Sequence, residues 1–275
     1  MTKKPEIKKL EKIANEIRVE ILKMLTCAGS GHTGGSLSMV ELLVGLYFYK
    51  FRCDPEKPLC NTRDIFILSK GHACPGLYAT LAHMNFFKKE ELCTLRQLGT
   101  RLQGHPQRGL PGIEVSSGSL GQGLSIANGY ALGARLNKDD RRIYCIMGDG
   151  ELDEGQIWEA VLTGAHYKLD NVCGIVDYNK FQIDGRIEEV KGLEPLKDKW
   201  QAFGWEVLEI DGHNIKEVMG AYDKAETIKG KPAVILAHTV KGKGVSFFEN
   251  QNKYHGVAPS KDELENALKE LKIRP

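Results

Sequence analysis

The chain has 275 residues, 41% hydrophobic and 27% charged, with a formal net charge of +2. That length suits one large domain or two small ones, and the composition is that of an ordinary globular protein. The near-neutral balance excludes the strong field that holds nucleic acid or an anionic membrane surface, and no apolar stretch is long enough to span a bilayer.

Residues 6–28 read as an amphipathic helix, with Ile13, Ile17, Ile21, Leu22 and Leu25 on one side. The lysine-rich stretch 2–12 supplies its solvated face. No long apolar run follows those lysines, so no signal peptide is expected. The helix runs into CAGSGHTGGS (27–36), a glycine-rich loop of the kind used for tight turns or close ligand approach. His32 sits in that loop, where a solvated surface role is the commoner alternative. A helix follows near 38–51, then a polar loop with Pro55 and Pro58. Residues 64–84 read as a short buried strand, a turn and a helix, with Lys70 and His72 at the strand tip. A further helix is expected over 88–98. Residues 104–136 read as a loop carrying His105, then an Ala- and Gly-rich helix. SSGSLGQG (116–123) at its start is an anion site through the helix dipole and free N–H groups, a weak signal by itself.

Next come an apolar run at 141–147, the triplet GDG (148–150), a helical stretch over 154–168 and a second apolar run at 171–178 closed by Asn179. Strand, helix, strand at this length is a βαβ unit, so its strands are parallel and both end on one rim. Beyond it, 194–203 reads as a helix, 205–214 as strand and turn, 215–229 as a helix and 231–244 as a strand with a basic glycine turn. Residues 245–259, carrying His255, look mobile, and Ser260 caps a last helix over 261–272. His213 and His238 carry no motif and are expected to be structural. Seven cysteines, scattered and without a CxxC pair, point to a reduced, cytoplasmic protein with mostly buried thiols. The pattern gives an α/β fold: one domain over 1–275, an open, mostly parallel sheet with helices on both faces.

The rim of such a sheet is where ligands bind. Asp149, Asn179 and a nearby backbone carbonyl are hard oxygen donors, suited to Mg²⁺ or Ca²⁺ held together with a phosphorylated ligand. Gly148 and Gly150 let a diphosphate approach the backbone. GDG alone is equally a tight βα turn whose Asp caps the next helix. With Asn179 after the second strand it resembles the thiamine-diphosphate fingerprint, and the resemblance implies Asp149, Asn179 and the main-chain carbonyl of Phe181 as metal ligands.

Further motifs narrow the resemblance. SGH at His32, LSKGHA at His72, GHP at His105 followed by LPG and SSGSLGQG, then GDGELDEG, DYNKFQIDG, VKGKG and YHG at His255 resemble, in that order, the transketolase family. The likeness covers about residues 6–260 and is to the diphosphate-binding domain. It implies thiamine diphosphate with Mg²⁺ (Ca²⁺ and Mn²⁺ also accept oxygen ligands) as cofactors. It also implies transfer of a two-carbon ketol unit between sugar phosphates, such as xylulose 5-phosphate and ribose 5-phosphate, in the pentose phosphate pathway. The family's pyrimidine-binding and C-terminal domains have no counterpart here. The expectation is therefore the N-terminal subunit of a split transketolase. Its partner subunit would carry the pyrimidine domain, in a heterotetramer of two of each that self-associates through the diphosphate-binding domain.

By the same resemblance, His72, Gly118, Ser119, Leu120, Gly150, Glu154, Ile183, Lys241 and His255 would join Asp149 and Asn179 around the cofactor, Ser119 through backbone atoms. His32 and His255 would face the first carbons of the substrate, with His255 favoured as acceptor of the C3-hydroxyl proton, because an imidazole titrates near neutrality. His105 would hydrogen-bond the donor's carbonyl-side hydroxyl. Glu154 would link two active sites across a subunit interface, although an acidic residue in a helix's first turn is favourable by the dipole alone. The alternatives are a related enzyme for another sugar and a non-catalytic thiamine-diphosphate-binding subunit. A nucleotide-binding domain is disfavoured, since neither GxGxxG nor a P-loop occurs between strand and helix.

Overall fold

A computed structural model describes residues 5–58, 60 and 62–272; residues 2–4 of the N-terminal basic stretch lie outside the described residues. Among the described residues, five strands form one all-parallel sheet: β1 (Ile65–Leu68), β2 (Ile143–Gly148), β3 (Val172–Tyr178), β4 (Glu206–Asp211) and β5 (Ala233–His238), in the spatial order β1-β2-β3-β5-β4. β2 and β3 are buried at every position, as apolar runs without alternation dictate for strands covered on both faces. β4 closes one edge and is only half-buried, with Glu206, Glu209 and Asp211 along it.

Two apolar cores cover the two faces. One packs α1 (Ile7–Ala28), α2 (Thr33–Ser38), α3 (Val40–Gly45), α4 (Cys74–His83) and α9 (Ile215–Thr227) on the sheet. The other packs α5 (Gln122–Leu136), α6 (Gly155–His166) and α8 (Leu196–Ala202), with the short α7 (Ile187–Val190) at its border. The last helix, α10 (Lys261–Lys272), docks on α1. Ser260 and Glu263 form a reciprocal capping box at its start: Glu263 N–H donates to Ser260 Oγ at 3.1 Å and Ser260 N–H to Glu263 Oε2 at 2.8 Å. Among the described residues, no helix is long and apolar enough to cross a membrane.

Three elements and the burial of the thiols depart from the sequence reading. The second helical segment begins at Thr33, inside the stretch read as a glycine loop. Glycine is needed there for close packing: a Cβ on Gly34 would sit 2.8 Å from Lys241 Cγ. Residues 88–98 do not form an α-helix. Only a 3₁₀ turn, Lys89–Thr94, forms before Leu95 turns extended and Arg96 takes φ 61°. The stretch 245–259 is packed, not loose, because Val245, Phe248 and Tyr254 are buried in the first core. The thiols are not mostly buried: Cys74, Cys145 and Cys173 are, whereas Cys53 and Cys60 are half-buried and Cys27 and Cys93 exposed.

Candidate active site

All five strands end on one rim. Register sets Gly148 beside Asp177 and Tyr178 beside His238, so the turns after β1, β2, β3 and β5 meet. They enclose a cavity of about 220 Å³. Its lining includes His32, His72, His255, Gly118, Leu120, Asp149, Gly150, Asn179, Phe181, Ile183 and Lys241. Three of the expected residues do not line it. His105 is exposed beside it, its Cδ2 3.5 Å from where a Gly118 Cβ would be. Ser119 lines a neighbouring surface depression. Glu154 is exposed at the N-terminus of α6.

On one side of the cavity three imidazoles converge. The ring centroids of His32 and His72 lie 4.9 Å apart, His72 and His255 stack at 5.5 Å, and His32 meets His255 edge-on at 5.7 Å. Burial, then His105 and the cations Arg96, Lys70 and Lys241, lower His32 to about 4. Burial, then Lys241, lowers His255 to about 3. Burial, then Lys70, takes His72 well below the usual imidazole range, and burial and Arg96 lower His105. All four rings are therefore neutral near pH 7. Lys241 Nζ lies 2.8 Å from His255 Nδ1. Burial, then Lys70, lowers Lys241 to about 8, which leaves it mostly an ammonium at neutral pH. An ammonium can only donate, so it occupies the Nδ1 lone pair and the neutral His255 carries its proton on Nε2.

On the other side lie the oxygen donors. Asp149 is 1% exposed, and its carboxylate accepts the N–H of Gly150 at 2.9 Å and of Lys180 at 2.5 Å. Burial, then the neighbouring Asp177, raises it to about 7. The amide of Asn179 is oriented by Asp177: Nδ2 donates to Asp177 Oδ2 at 3.3 Å, while Oδ1 accepts Phe181 N–H at 3.1 Å. Among the described residues no group of three or more His, Cys, Asp and Glu could hold a metal. The set is instead one buried carboxylate, one oriented amide oxygen and a carbonyl. Such a set fits a hard divalent ion whose shell is completed by phosphate oxygens and water.

Beneath these donors lies a layer that the sequence reading missed. The buried Asp177 accepts from Lys70 Nζ, from Thr239 Oγ1 and, at 2.5 Å, from Ser38 Oγ. Despite burial, which pushes it up, these partners hold its carboxyl below the usual range. A charged residue closing a fully buried central strand was the available signal. Glu151 is the second: its carboxylate accepts from Ser69 Oγ, from Gly121 N–H at 2.8 Å and from Gly148 N–H at 3.0 Å. His213 is structural as expected. Val240 N–H donates to its Nε2 at 2.8 Å, and its Nδ1 meets Glu41 at 2.9 Å, so it ties the Lys241 turn to α3. Arg18 reaches the same carboxylate and also Lys243 O; despite burial, Arg18 and His213 hold Glu41 down to about 2.

Residues 9–275 match the family described as transketolase, thiamine diphosphate binding domain. The chain belongs to that family. Relatives at full length include an apulose-4-phosphate transketolase subunit of Phocaeicola vulgatus, 41% identical over 98% of this chain and 96% of the relative. Another is the 6-deoxy-6-sulfo-D-fructose transketolase subunit SqwG of Clostridium sp. (strain MSTE9), 46% identical over 95% of this chain and 96% of the relative. The human transketolase is 36% identical over 98% of this chain, which spans 43% of that longer protein. The crystal structure of the Campylobacter jejuni transketolase superposes with a TM-score of 0.92 at 33% identity, covering 98% of this chain and 43% of that one. This transketolase-family domain thus has the parallel sheet and helical layers of those enzymes.

Proposed function

We propose that this chain is the diphosphate-binding subunit of a two-subunit transketolase. It would move a two-carbon ketol unit from a ketose phosphate to an aldose phosphate, with thiamine diphosphate and Mg²⁺ (Ca²⁺ or Mn²⁺ as substitutes). The observation that carries the reading is the pairing, across one cavity, of Asp149 and Asn179 with the imidazoles of His32, His72 and His255. Thiamine diphosphate supplies an electron sink for breaking the bond beside a carbonyl.

The chain's own residues do the rest. Asp149, Asn179 and the Phe181 carbonyl would hold the metal. Gly118, the Ser119 backbone, Leu120, Gly150, Ile183, His72 and Lys241 would bind the cofactor around it. Lys241 would offer its ammonium to the diphosphate, while the charge of Lys70 is matched by Asp177. His32 and His255 would face the substrate. Their neutrality lets them accept a hydroxyl proton, but the Nδ1 lone pair of His255 is available only when Lys241 turns to an anionic ligand. His105, at the rim, would hydrogen-bond the donor sugar, and Glu154, outside the cavity, would face a second copy. The chain spans nearly the whole of relatives named as subunits, which supports a partner subunit; that partner would carry the pyrimidine domain, two of each forming a heterotetramer.

Xylulose 5-phosphate and ribose 5-phosphate, the substrates of a pentose phosphate pathway enzyme, are the first pair to test. A different sugar is the second reading, favoured because relatives of 41% and 46% identity are named for apulose 4-phosphate and 6-deoxy-6-sulfo-fructose. The experiment is a two-carbon transfer assay with the chain alone and with a pyrimidine-domain subunit, on each donor in turn. Activity in the mixture alone supports the reading. Activity of the chain alone overturns the partner requirement, and silence on every donor despite cofactor binding overturns the catalytic role.

A further inference from the structure

Cys27 lies in the last turn of α1 and Cys93 in the 3₁₀ turn Lys89–Thr94, far apart in sequence. The fold packs these two elements together and sets the sulfurs 3.3 Å apart, the Cys27 thiol donating to Cys93 Sγ. Both residues are exposed. Cys93 is raised above the ordinary thiol range, first by its hydrogen bond with Cys27 and then by burial. The buried thiols of Cys74, Cys145 and Cys173 are all pushed up by burial, and a solvent-borne oxidant does not reach them.

We propose that Cys27 and Cys93 form a reversible disulfide at the surface of this domain, made by exchange with a small-molecule disulfide. One of the two thiolates attacks the small disulfide, breaks its S–S bond and releases one thiol, leaving a mixed disulfide on the protein. The second cysteine attacks the protein sulfur of that mixed disulfide and releases the second thiol. Two protein thiols and one small disulfide thus become one protein disulfide and two small thiols; the protein loses two electrons and two protons, and the small disulfide gains them. Closing the bond requires the sulfurs to approach by about 1 Å, within reach of side-chain rotation at exposed positions.

The pair sits where two site-bearing segments begin. Past Cys27 the chain runs through the left-handed Gly29 into the turn that carries His32. Past Cys93 it reaches Arg96, whose guanidinium packs against Gly104 and lies 3.8 Å from where a Gly31 Cβ would be. Neither cysteine lines the cavity, so the bond would clamp α1 to the 89–94 turn without entering the site.

The test uses the full chain, with oxidised glutathione as the oxidant and a reduced control. Intact-mass and peptide analysis should show loss of two hydrogens and a Cys27–Cys93 cross-linked peptide in the wild type, reversed by dithiothreitol. Cys27→Ser and Cys93→Ser should each abolish it. The thermal midpoint of the oxidised wild type should rise by about 5–10 °C, since closing a long loop constrains the unfolded chain. A stable glutathione adduct with no conversion, an unchanged mass, or a two-hydrogen loss that persists in either serine variant would each overturn the proposal. An oxidised form with no rise in midpoint would overturn the clamp. None of these readouts depends on cofactor binding or turnover.

Discussion

Gly121 donates its backbone N–H to the carboxylate of Glu151 at 2.8 Å, joining the entry of α5 to the turn after β2. The same carboxylate takes Gly148 N–H at 3.0 Å and the hydroxyl of Ser69 at the tip of β1. One buried side chain therefore fixes three of the turns that border the cavity. Glu151→Ala would leave those buried donors without an acceptor, at a cost of about 2–4 kcal/mol. We expect a lower unfolding midpoint and thiamine diphosphate affinity weakened about tenfold or more. Glu151→Gln should fall between, because its –NH₂ group replaces one of the acceptor oxygens. Calorimetric titration of the cofactor beside urea unfolding checks both; wild-type affinity in Glu151→Ala would refute the role.

Lys70 and Asp177 form a buried ion pair, with both residues about 1% exposed or less. Removing one member strands the other's charge, which costs about 3–5 kcal/mol in such settings. Lys70→Met is therefore expected to lose stability on that scale. Lys197→Met, which breaks an exposed pair with Glu209, should lose less than about 1 kcal/mol. Urea unfolding of the two variants gives the comparison. Equal losses would mean that Lys70 serves ligand binding alone and contributes little to the fold.

The difference in how these residues could be read from sequence is physical. The βαβ unit announced itself because two apolar runs flank a helical period, and parallel strands must end on one rim, so Asp149 and Asn179 were placed together. His32, His72 and His255 came from motif order, and the cavity gathers them. Glu151 stayed hidden because it looks like an ordinary acid in a turn, and Asp177, although its place in a buried strand was a signal, could be given no partners until tertiary packing showed what faces it. The helix starting at Thr33 was obscured because Gly34 and Gly35 lower helix propensity. The approach of Lys241 needs the missing side chain of Gly34 and overrides that preference. The 3₁₀ turn at Lys89–Thr94 failed in the other direction: its residues favour a helix, but the chain must bend to bring Arg96 toward Gly104.

Asp149 illustrates a site that sacrifices stability for binding. Its buried carboxyl is raised to about 7 by burial and by Asp177, so ionising it in the folded protein is costly. A raised acid contributes stability that is present at low pH and lost as pH rises from about 4 through about 7. Asp149→Asn removes that cost. The variant is expected to be more stable than the wild type at pH 8 without ligand and no more stable at pH 4, while losing metal-dependent cofactor binding. Unfolding midpoints at the two pH values, with titration of cofactor and Mg²⁺, test the pairing of gain and loss. A variant less stable than the wild type at pH 8 would show that the backbone N–H groups of Gly150 and Lys180 need the charge.

The histidines act on stability with the opposite sign. His32 at about 4 and His255 at about 3 stay neutral in the fold, whereas unfolded imidazoles protonate near 6.5. Below pH 6.5 the unfolded chain therefore binds protons that the native state refuses. Stability is full above that pH and falls as pH drops toward 4, by up to about 1.4 kcal/mol per pH unit for each such ring. His72 adds to the same limb, its imidazole being lowered by burial and Lys70. Between about pH 4.5 and 6.5 most other carboxylates are already ionised in both states, so the slope there reports the histidines set against the opposing titration of Asp149, and the difference between wild type and variant isolates His255. His255→Gln should make this limb shallower by about one proton and leave the slope above pH 7 unchanged. Urea unfolding at half-unit steps from pH 4.5 to 7.5 measures it. An unaltered slope would mean that His255 titrates in the folded protein as it does in the unfolded chain, and that burial and Lys241 do not hold its ring neutral.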